Sequence, residues 1–181
     1  MDSQSYRRMI LMVDALTLGR IIINKYPDVS SKPLVGNKIE LIVPSTEIRD
    51  VLIMIEENVP DALPEAAFGI DLENDKYEII YIIWSHESKL LCQLRVALDD
   101  ENPEVDTVSD IFPGFEWHER ETSEMFGITF KNHPDMRPLL LPDELVGQYP
   151  MRKRFLTDRS RIDETGLTPP RPRSTSGGGS S

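Results

Sequence analysis

Two consecutive apolar segments limit most strongly the folds that this chain can adopt. KYEIIYIIW (76–84) is rich in β-branched and aromatic residues, and KLLCQLRVAL (89–98) alternates apolar and polar side chains. The four residues between them, SHES, suit a hairpin loop. The alternation predicts an inward face and an outward face for the second strand, whereas both faces of the first are apolar and are expected to be covered. The pair predicts an antiparallel hairpin within a sheet. The expected inward residues are Leu90, Cys92, Leu94, Val96 and Leu98, and the outward ones are Lys89, Gln93 and Arg95.

The flanking segments predict further strands and helices that back this sheet. KIELIV (38–43) predicts a strand that stops at Pro44, and Ser45 is then expected to cap a helix. AAFGIDL (66–72) predicts an edge strand. Together these segments predict an α+β fold, a mostly antiparallel sheet backed by helices. The apolar positions expected to pack are Ile10, Val13, Leu16, Thr17 and Ile21 in an N-terminal helix over 5–25, and Ile48, Val51, Leu52 and Ile55 in the helix after Ser45.

Charge is distributed unevenly along the 181 residues. Residues 151–181 hold seven basic and three acidic residues, a net charge of +4, which leaves −15 for residues 1–150 out of the total of −11. An acidic body of this kind argues against nucleic acid as a partner, because such partners require clustered cations. The tail has few large apolar residues and contains TPPRPR and STSGGGSS, which predict an extended segment. We therefore predict an N-terminal helix and linker (1–34), an α+β domain (35–150) and a basic tail (151–181).

The cysteine content and hydropathy bound the function classes. The single cysteine, Cys92, cannot form an internal disulfide, and one thiolate is too few for an iron–sulfur cluster or a structural zinc site. No run approaches the ~18 apolar residues that cross a bilayer, so we expect any membrane contact to be indirect. The N-terminus does not resemble a secretory signal. These observations favour a cytosolic chain without a metal of its own.

The densest cluster of charged residues, WHERETSEMFG (117–127), predicts a short helix that ends at Gly127, with Trp117 packed in the core. HERET resembles the beginning of a zinc-protease HExxH motif, but Thr122 replaces the second histidine. An acid–base enzyme using His118 and the nearby glutamates is one hypothesis, although no nucleophile elbow, phosphate loop or oxyanion turn accompanies them. A solvated charged helix and a binding module for a small charged peptide are the alternatives.

The segment after this helix favours an interface. KNHPDMRPLLLP (131–142) is irregular and proline-punctuated, and three consecutive leucines (139–141) give it apolar surface beside fixed charges. Arg120 and Arg137 are suited to forked contacts with carboxylates. The prolines reduce the entropy lost when such a segment becomes fixed. This pattern indicates docking, either on the chain's own domain or on a partner.

These residues resemble a known family. The order ERE (119–121), EMFGI (124–128), HPDMRP (133–138) and the following leucines is similar to the characteristic sequence of the NuoC family of NADH dehydrogenase subunits, which belong to respiratory complex I and also occur in related membrane-bound dehydrogenases and hydrogenases. TVSDIFPGFEW (107–117) and LLPDELVGQYPMRKRF (140–155) extend the resemblance, which covers about residues 35–155. Departures include Glu124 in place of a common Asp, Asn132 in place of a common Gly, and the ending YPMRKRF.

The resemblance implies a scaffold subunit without catalytic residues, cofactor or metal of its own. It implies packing against a hydrogenase-like large subunit and near an iron–sulfur small subunit, on the cytoplasmic face of a membrane. Flavin or deazaflavin, iron–sulfur clusters and quinone are then expected in partner subunits, with hydrogenase and formate hydrogenlyase complexes as alternative assemblies. The implied interface residues are Glu119, Arg120, Glu121, Glu124, Phe126, Gly127, His133, Pro134, Asp135, Arg137, Leu139 and Leu140, and in the tail Arg152, Lys153, Arg154 and Phe155.

Overall fold

A five-stranded sheet with helices packed on one of its faces forms the body of the protein. The computed structural model describes residues 13–73, 76–99 and 102–157. The sheet has the strand order β1-β2-β5-β4-β3, and a parallel pair of short strands, β6 and β7, lies outside it. The strands are β1 (Ser30–Leu34), β2 (Lys38–Val43), β3 (Ala62–Glu73), β4 (Lys76–Ser85), β5 (Leu90–Asp99), β6 (Glu104–Asp106) and β7 (Thr129–Lys131); the helices are α1 (Ala15–Lys25), α2 (Ile48–Asn58), α3 (Glu116–Phe126) and the short α4 (Lys153–Thr157).

The predicted hairpin is confirmed. β4 and β5 pair antiparallel from Lys76–Asp99 to Ser85–Leu90, and β3 pairs antiparallel with the other side of β4. β2 pairs parallel with β5, and β1 pairs antiparallel with β2. Three of the four pairings are therefore antiparallel, as expected for the α+β class. The predicted strand at 38–43 and the predicted edge position of the third strand are also confirmed.

One face of the sheet, called here the core face, is buried beneath the helices. All five predicted inward residues of β5 are buried, and the helix α2 packs its four predicted apolar residues into the same core. The predicted cap at Ser45 is wrong, because a turn closed by Glu47 N and Pro44 O precedes the helix and makes Glu47 the N-cap residue. Burial of such a set of aliphatic side chains is the main term that stabilises a domain of this size.

The predicted apolar face of the N-terminal helix is only partly correct. In α1 the fully buried side chains are Leu18 and Ile22, whereas Leu16 is 56% exposed. Gly19 lies on the buried side, where a Cβ atom would come within 2.7 Å of Ile39 Cδ1. Because Gly19 carries no apolar side chain, the spacing of apolar residues does not identify it as part of the buried face. The face predicted from the sequence therefore includes the exposed Leu16. The predicted helix residues before position 13 lie outside the described residues.

The segment predicted as a linker contains an edge strand. β1 includes Pro33, and a proline within a strand is tolerated at a sheet edge because it cannot donate a ladder hydrogen bond. α1 contributes Leu18 and Ile22 to the core of the same domain. The first 34 residues thus include the predicted helix and an edge strand that the sequence did not indicate.

The second face of the sheet, called here the outer face, is only half covered. In β4 the side chain of Ile80 is buried, but Ile82 and Trp84 are half-buried, and Phe68 on the adjacent strand is 43% exposed. The prediction that both faces of β4 would be covered is therefore wrong for the outer face within the described residues. At its centre Arg95 lies between two carboxylates, 2.6 Å from Glu78 and 3.7 Å from Glu40.

No helix within residues 13–73, 76–99 and 102–157 is long and apolar enough to cross a membrane. The predicted extended tail falls largely outside the described residues, from position 158 onward.

The packing of Gly69 against α3 makes a testable prediction. A Cβ atom at this position would lie 2.6 Å from Cδ2 of Phe126, so Gly69→Ala is expected to lower the free energy of unfolding by about 1–3 kcal/mol through overpacking. Chemical denaturation measures the loss. In the double variant with Phe126→Leu the smaller side chain should recover part of the loss, and strictly additive losses would contradict the assigned contact.

Candidate functional site

The ERE sequence begins with a carboxylate that lies wholly inside the protein. Glu119, on α3, has no exposed surface. Its Oε1 accepts hydrogen bonds from the hydroxyl of Tyr81 (3.1 Å) and the backbone N–H of Val108 (3.0 Å), and its Oε2 accepts one from the hydroxyl of Thr107. A buried charged group is tolerated only when its hydrogen-bonding capacity is filled in this way. Glu119 therefore joins the helix to the inner strand β4 and to the loop after β6.

The loop that receives Glu119 is itself fixed on both sides. The Thr107 hydroxyl has a single proton, which it donates to Glu119, so the contact with Ser109 Oγ at 2.8 Å must be donated by the serine. From the other side Arg49 on α2 donates to the Thr107 carbonyl and forms a two-bond pair with Asp110, at 2.7 Å for each bond. The loop is thereby held between two helices.

Burial raises the pKa of Glu119, because removal from water disfavours the charged form. The hydrogen bonds from Thr107, Val108 and Tyr81 oppose this shift. Burial likewise raises the pKa of the Tyr81 phenol, and the neighbouring carboxylate raises it further.

His133 fixes the beginning of the irregular segment that follows β7. Its imidazole has no exposed surface, and its Nδ1 accepts the backbone N–H of Asp135 at 3.1 Å. The other nitrogen, Nε2, must then carry the proton, which it donates to the backbone carbonyl of Glu116 at 3.1 Å. The hydrogen-bond network thus places a proton on Nε2. His133 holds the segment against the first turn of α3.

Arg120 and Arg137 fix the middle of the same segment, called here the strap (residues 133–141). The Arg120 guanidinium donates to the backbone carbonyls of Arg137 (2.8 Å) and Pro138 (3.3 Å) and lies 3.6 Å from the Asp135 carboxylate. Arg137 makes two hydrogen bonds to Asp135, at 2.9 and 2.7 Å. The side chain and backbone of Arg137, together with Arg120, hold the pKa of Asp135 well below its usual value. Each forked contact lies within the strap or between it and α3, which corresponds to docking on the chain's own domain.

Glu124 fixes the end of the strap. Its two carboxylate oxygens accept the backbone N–H groups of Leu139 (2.6 Å) and Leu140 (2.9 Å). A carboxylate is suited to this task because it accepts at both oxygens and donates nothing. Consecutive N–H groups of a non-repetitive segment would otherwise have no partner in the fold.

The three attachments share one face of α3. Glu116, Arg120 and Glu124 are spaced by four residues, so their groups follow one another along a single side of the helix. The strap runs along the helix axis, from His133 beside the first turn to Leu140 beside the last. Glu119 lies on a different side and faces the sheet. The charged residues between Glu116 and Glu124 thus position an irregular segment on the helix and position that helix on the domain.

The helix end is closed by a residue assigned from sequence to the tail interface. Gly127 has a φ of +69°, the left-handed conformation that glycine adopts without strain. Arg152 is buried, donates from Nε to the Phe126 carbonyl at 2.6 Å, and stacks between the rings of Tyr77 (4.8 Å) and Tyr149 (4.7 Å). A cation is favourable at a helix C-terminus and over aromatic rings. The expectation that Arg152 would face a partner is therefore wrong, and Phe155 is buried as well.

The remaining predicted residues differ in exposure. Phe126 is buried, Glu121, Pro134 and Arg154 are at least partly exposed, and the backbone N–H of Lys153 donates to Asp71 at 2.8 Å. Leu139 is half-buried, whereas Leu140 is 58% exposed. Trp117, which the sequence suggested as core, is 65% exposed. Three apolar side chains of α3 and the strap therefore remain exposed, those of Trp117, Met136 and Leu140.

The geometry does not assemble the acid–base constellation considered from the sequence. Glu119 is sealed inside the protein, Glu121 is exposed, and His118 Nδ1 lies 3.0 Å from the carbonyl of Gly114. Arg120 uses its donors on the strap. Among the described residues, no group of three or more His, Cys, Asp and Glu side chains is arranged to hold a metal ion.

Sequence reasoning missed the partners that give the charged residues their roles. Tyr81 stands out only as part of an apolar strand, and Thr107 only as part of a loop. Neither residue type indicates that its hydrogen-bond partner is a carboxylate, 38 residues away for Tyr81 and 12 residues away for Thr107. The one available indication is local, because the sequence TVS supplies hydroxyl groups that fill hydrogen bonds in non-repetitive backbone.

Comparisons with known proteins return a family model and several similar proteins. The family model described as "Respiratory-chain NADH dehydrogenase, 30 Kd subunit" matches residues 41–161. The C subunit of the F(420)H(2) dehydrogenase of Methanosarcina mazei is 30% identical over 146 residues, which is 79% of this chain and 92% of that protein. The C subunit of the NADH-quinone oxidoreductase of a Roseiflexus species is 37% identical over 87 residues, 47% of this chain and 49% of that protein.

Two solved structures resemble the fold. A chain of the membrane-bound sulfane sulfur reductase, an archaeal respiratory membrane complex, superimposes with a TM-score of 0.72 at 25% identity and covers 84% of this chain and 91% of that one. The trypsin-resistant fragment of Nqo5 gives a TM-score of 0.55 at 18% identity over 65% of this chain and 98% of the fragment, a likeness of fold alone.

Burial of Glu119 makes stability depend on pH. Because its pKa is raised in the folded state, the proton stabilises the native protein at low pH, and this contribution is lost as the pH rises through the folded pKa. In Glu119→Gln the side chain is neutral at every pH, so the stability of the variant relative to the wild type should increase with pH. Urea denaturation from about pH 4 to 8 measures this trend. Glu121→Gln, at an exposed position, is the control and should follow the wild type.

Removal of one acceptor should loosen the end of the strap. In Glu124→Gln an amide NH₂ faces a backbone N–H in place of an oxygen, at a cost of about 1 kcal/mol. Hydrogen exchange of the Leu139 and Leu140 amides should accelerate, while that of the β4 amides should not. Glu121→Gln again provides the matched control, and equal protection of Leu139 and Leu140 in both variants would contradict the assigned role of Glu124.

Proposed function

Because the chain belongs to the family of the 30 Kd subunit of the respiratory-chain NADH dehydrogenase, we propose that it is a non-catalytic scaffold subunit in the electron-transferring arm of a complex I-type, membrane-bound oxidoreductase. The complex would pass electrons from a reduced donor to a quinone-like acceptor and couple this transfer to ion translocation. The observation that carries the proposal is the use of the family's charged residues. Within the described chain they hold α3 and the strap in place.

The arrangement of α3 and the strap supports a docking role. Trp117 on α3 and Met136 and Leu140 on the strap expose apolar side chains, and exposed apolar surface next to fixed polar groups is typical of interface cores. Prolines in the strap reduce the entropy that would be lost on binding. We propose that this surface contacts the hydrogenase-like large subunit, with the iron–sulfur small subunit nearby.

The expected cofactors belong to the partners in this proposal. Flavin or deazaflavin, iron–sulfur clusters and quinone would be bound by other subunits, and this chain would contact the membrane only through them, on its cytoplasmic face. The solved relative that is part of an archaeal respiratory membrane complex supports a peripheral position.

The share of a relative's length that the match covers favours one electron donor over another. The match to the F(420)H(2) dehydrogenase protein spans 92% of that protein, whereas the match to the Roseiflexus NADH-quinone oxidoreductase protein spans 49%. We therefore place the reduced deazaflavin coenzyme before NADH as donor. A second candidate is a subunit of a complex with a sulfur acceptor, which the TM-score of 0.72 with the sulfane sulfur reductase chain supports.

Affinity capture from the native membrane in mild detergent tests the proposal. The tagged chain should bring with it a hydrogenase-like large subunit and an iron–sulfur subunit, and the eluate should oxidise the reduced deazaflavin coenzyme with a quinone analogue as acceptor. Oxidation of NADH by the same eluate would replace the donor but keep the scaffold role. Recovery of the chain alone, without other subunits, would contradict the proposal.

A charge introduced at the exposed Leu140 should weaken binding of the large subunit. Leu140→Asp places a carboxylate on the exposed apolar surface and is expected to reduce recovery of the large subunit at least about fivefold. Ile53→Asp, an exposed apolar residue on α2, is the matched control and should leave recovery unchanged. Equal recovery with both variants would remove Leu140 from the interface.

A further inference from the structure

Two exposed side chains of α3 are not used to hold the helix or the strap in place. Trp117 is largely exposed, and Glu121 is exposed as well. Within the described part of the chain the Glu121 carboxylate makes no hydrogen bond or ion pair, whereas Glu119, Arg120 and Glu124 all have partners. Glu121 is therefore available to a group that the described residues do not supply.

Trp117 and Glu121 lie together on the outward side of α3. Residues four positions apart are neighbours on a helix surface, with Cβ atoms about 5–6 Å apart. Successive residues turn by about 100° around the axis, which places this pair roughly opposite the buried Glu119 and next to the side that carries the strap. The indole and the carboxylate thus form one outward-facing site at the border of the strap.

An indole ring and a carboxylate one helical turn apart suit a single guanidinium group. The carboxylate accepts two parallel hydrogen bonds from the edge of an arginine side chain. The face of a tryptophan ring attracts the same cation, more strongly than the ring of tyrosine or phenylalanine does. A lysine ammonium is a compact point charge without a fork or a planar face. The pair of Trp117 and Glu121 therefore favours arginine over lysine.

The charge of the protein indicates that this arginine belongs to a partner. Residues 1–150 carry a net charge of −15, and such an acidic body attracts a basic surface. The arginines of α3 and the strap, Arg120 and Arg137, are already engaged with the strap backbone and with Asp135. Because α3 is fixed in place, presenting Glu121 to a facing cation costs little further entropy. The group complementary to Glu121 is a cation on a neighbouring basic surface.

We infer that Trp117 and Glu121 receive an arginine side chain of a partner subunit, whose guanidinium edge pairs with the carboxylate and whose plane stacks on the indole. The inference rests on the proposed assembly with other subunits and adds a charged contact to the apolar side chains of the strap. Charge complementarity of this kind fixes the register of an interface and excludes wrong partners.

Charge reversal tests the contact in the complex extracted from the membrane. In Glu121→Arg, recovery of the large subunit by affinity capture is expected to fall at least about tenfold, because the introduced cation faces the partner's arginine. Glu57→Arg, at an exposed position on α2, is the matched control and should leave recovery unchanged. The isolated Glu121→Arg chain should unfold at the same urea concentration as the wild type, which separates lost binding from lost folding.

The two side chains should act on one cation, so their effects should not multiply. Trp117→Leu and Glu121→Gln are each expected to accelerate dissociation of the large subunit from the immobilised chain about threefold. In the double variant the acceleration should be smaller than the product of the two, because an arginine released from the carboxylate is no longer held over the indole. Acceleration equal to the product would assign the two residues to separate contacts and overturn the inference.

A photo-cross-link identifies the source of the cation. Trp117→p-benzoylphenylalanine in the assembled complex should link to a peptide of another subunit that contains an arginine. Changing that arginine to Glu should restore recovery of the large subunit in the Glu121→Arg variant. A link to residues 158–181 of the same chain, or no restoration by the charge exchange, would overturn the inference.

The outcomes separate this inference from the proposed function. Equal recovery of the large subunit with Glu121→Arg and with Glu57→Arg would overturn the arginine contact and leave the scaffold role intact. Recovery of the wild-type chain without other subunits would contradict the scaffold role itself and the contact with it.

Discussion

The buried carboxylate of Glu119 is the constraint on which the rest of the structure depends. Moving a charged group out of water costs several kcal/mol unless hydrogen bonds replace the lost solvation. Here the replacements come from Tyr81 on β4 and from Thr107 and the backbone of Val108 in the loop after β6. The geometry of both parts of the chain is therefore fixed relative to α3. An apolar residue at this position would fill the space but would not specify the orientation of the helix in the same way.

With α3 fixed, its exposed side acts as a template for backbone that forms no regular structure. The strap cannot satisfy its own N–H and carbonyl groups, because prolines interrupt it and no strand lies beside it among the described elements. Arg120 supplies donors for its carbonyls, Glu124 supplies acceptors for its N–H groups, and His133 attaches its start. A dense group of ionisable residues can thus arise from the demands of backbone hydrogen bonding. It resembles an active site in composition but not in accessibility.

The sequence predicted the parts of this fold that follow from periodicity. The β4–β5 hairpin, the strand β2 and the helix ended by Gly127 each carry a local pattern that agrees with their tertiary position. The wrong predictions concern positions at which the residue type does not indicate its surroundings in the fold. Gly19 does not mark the buried face of α1, the strand that contains Pro33 was assigned to a linker, and Arg152 was assigned to a partner interface although its guanidinium closes a helix end. The members of the site were predictable, but their long-range partners were not.

The distribution of polarity on the two sides of α3 bears on what the subunit does. Several of its charged groups turn toward the sheet and the strap, whereas Trp117, Met136 and Leu140 remain outside. In α3, Phe126 and Met125 face the core as in the usual surface helix, so the exposed side chain of Trp117 departs from that pattern. Exposure of Trp117, Met136 and Leu140 is unfavourable in isolation, because apolar surface in contact with water gains nothing from being ordered. The arrangement becomes favourable once a second surface covers these side chains, since the entropy of ordering has already been lost in folding. The rigidity that Glu119 and Glu124 impose therefore makes physical sense in a chain that binds partners.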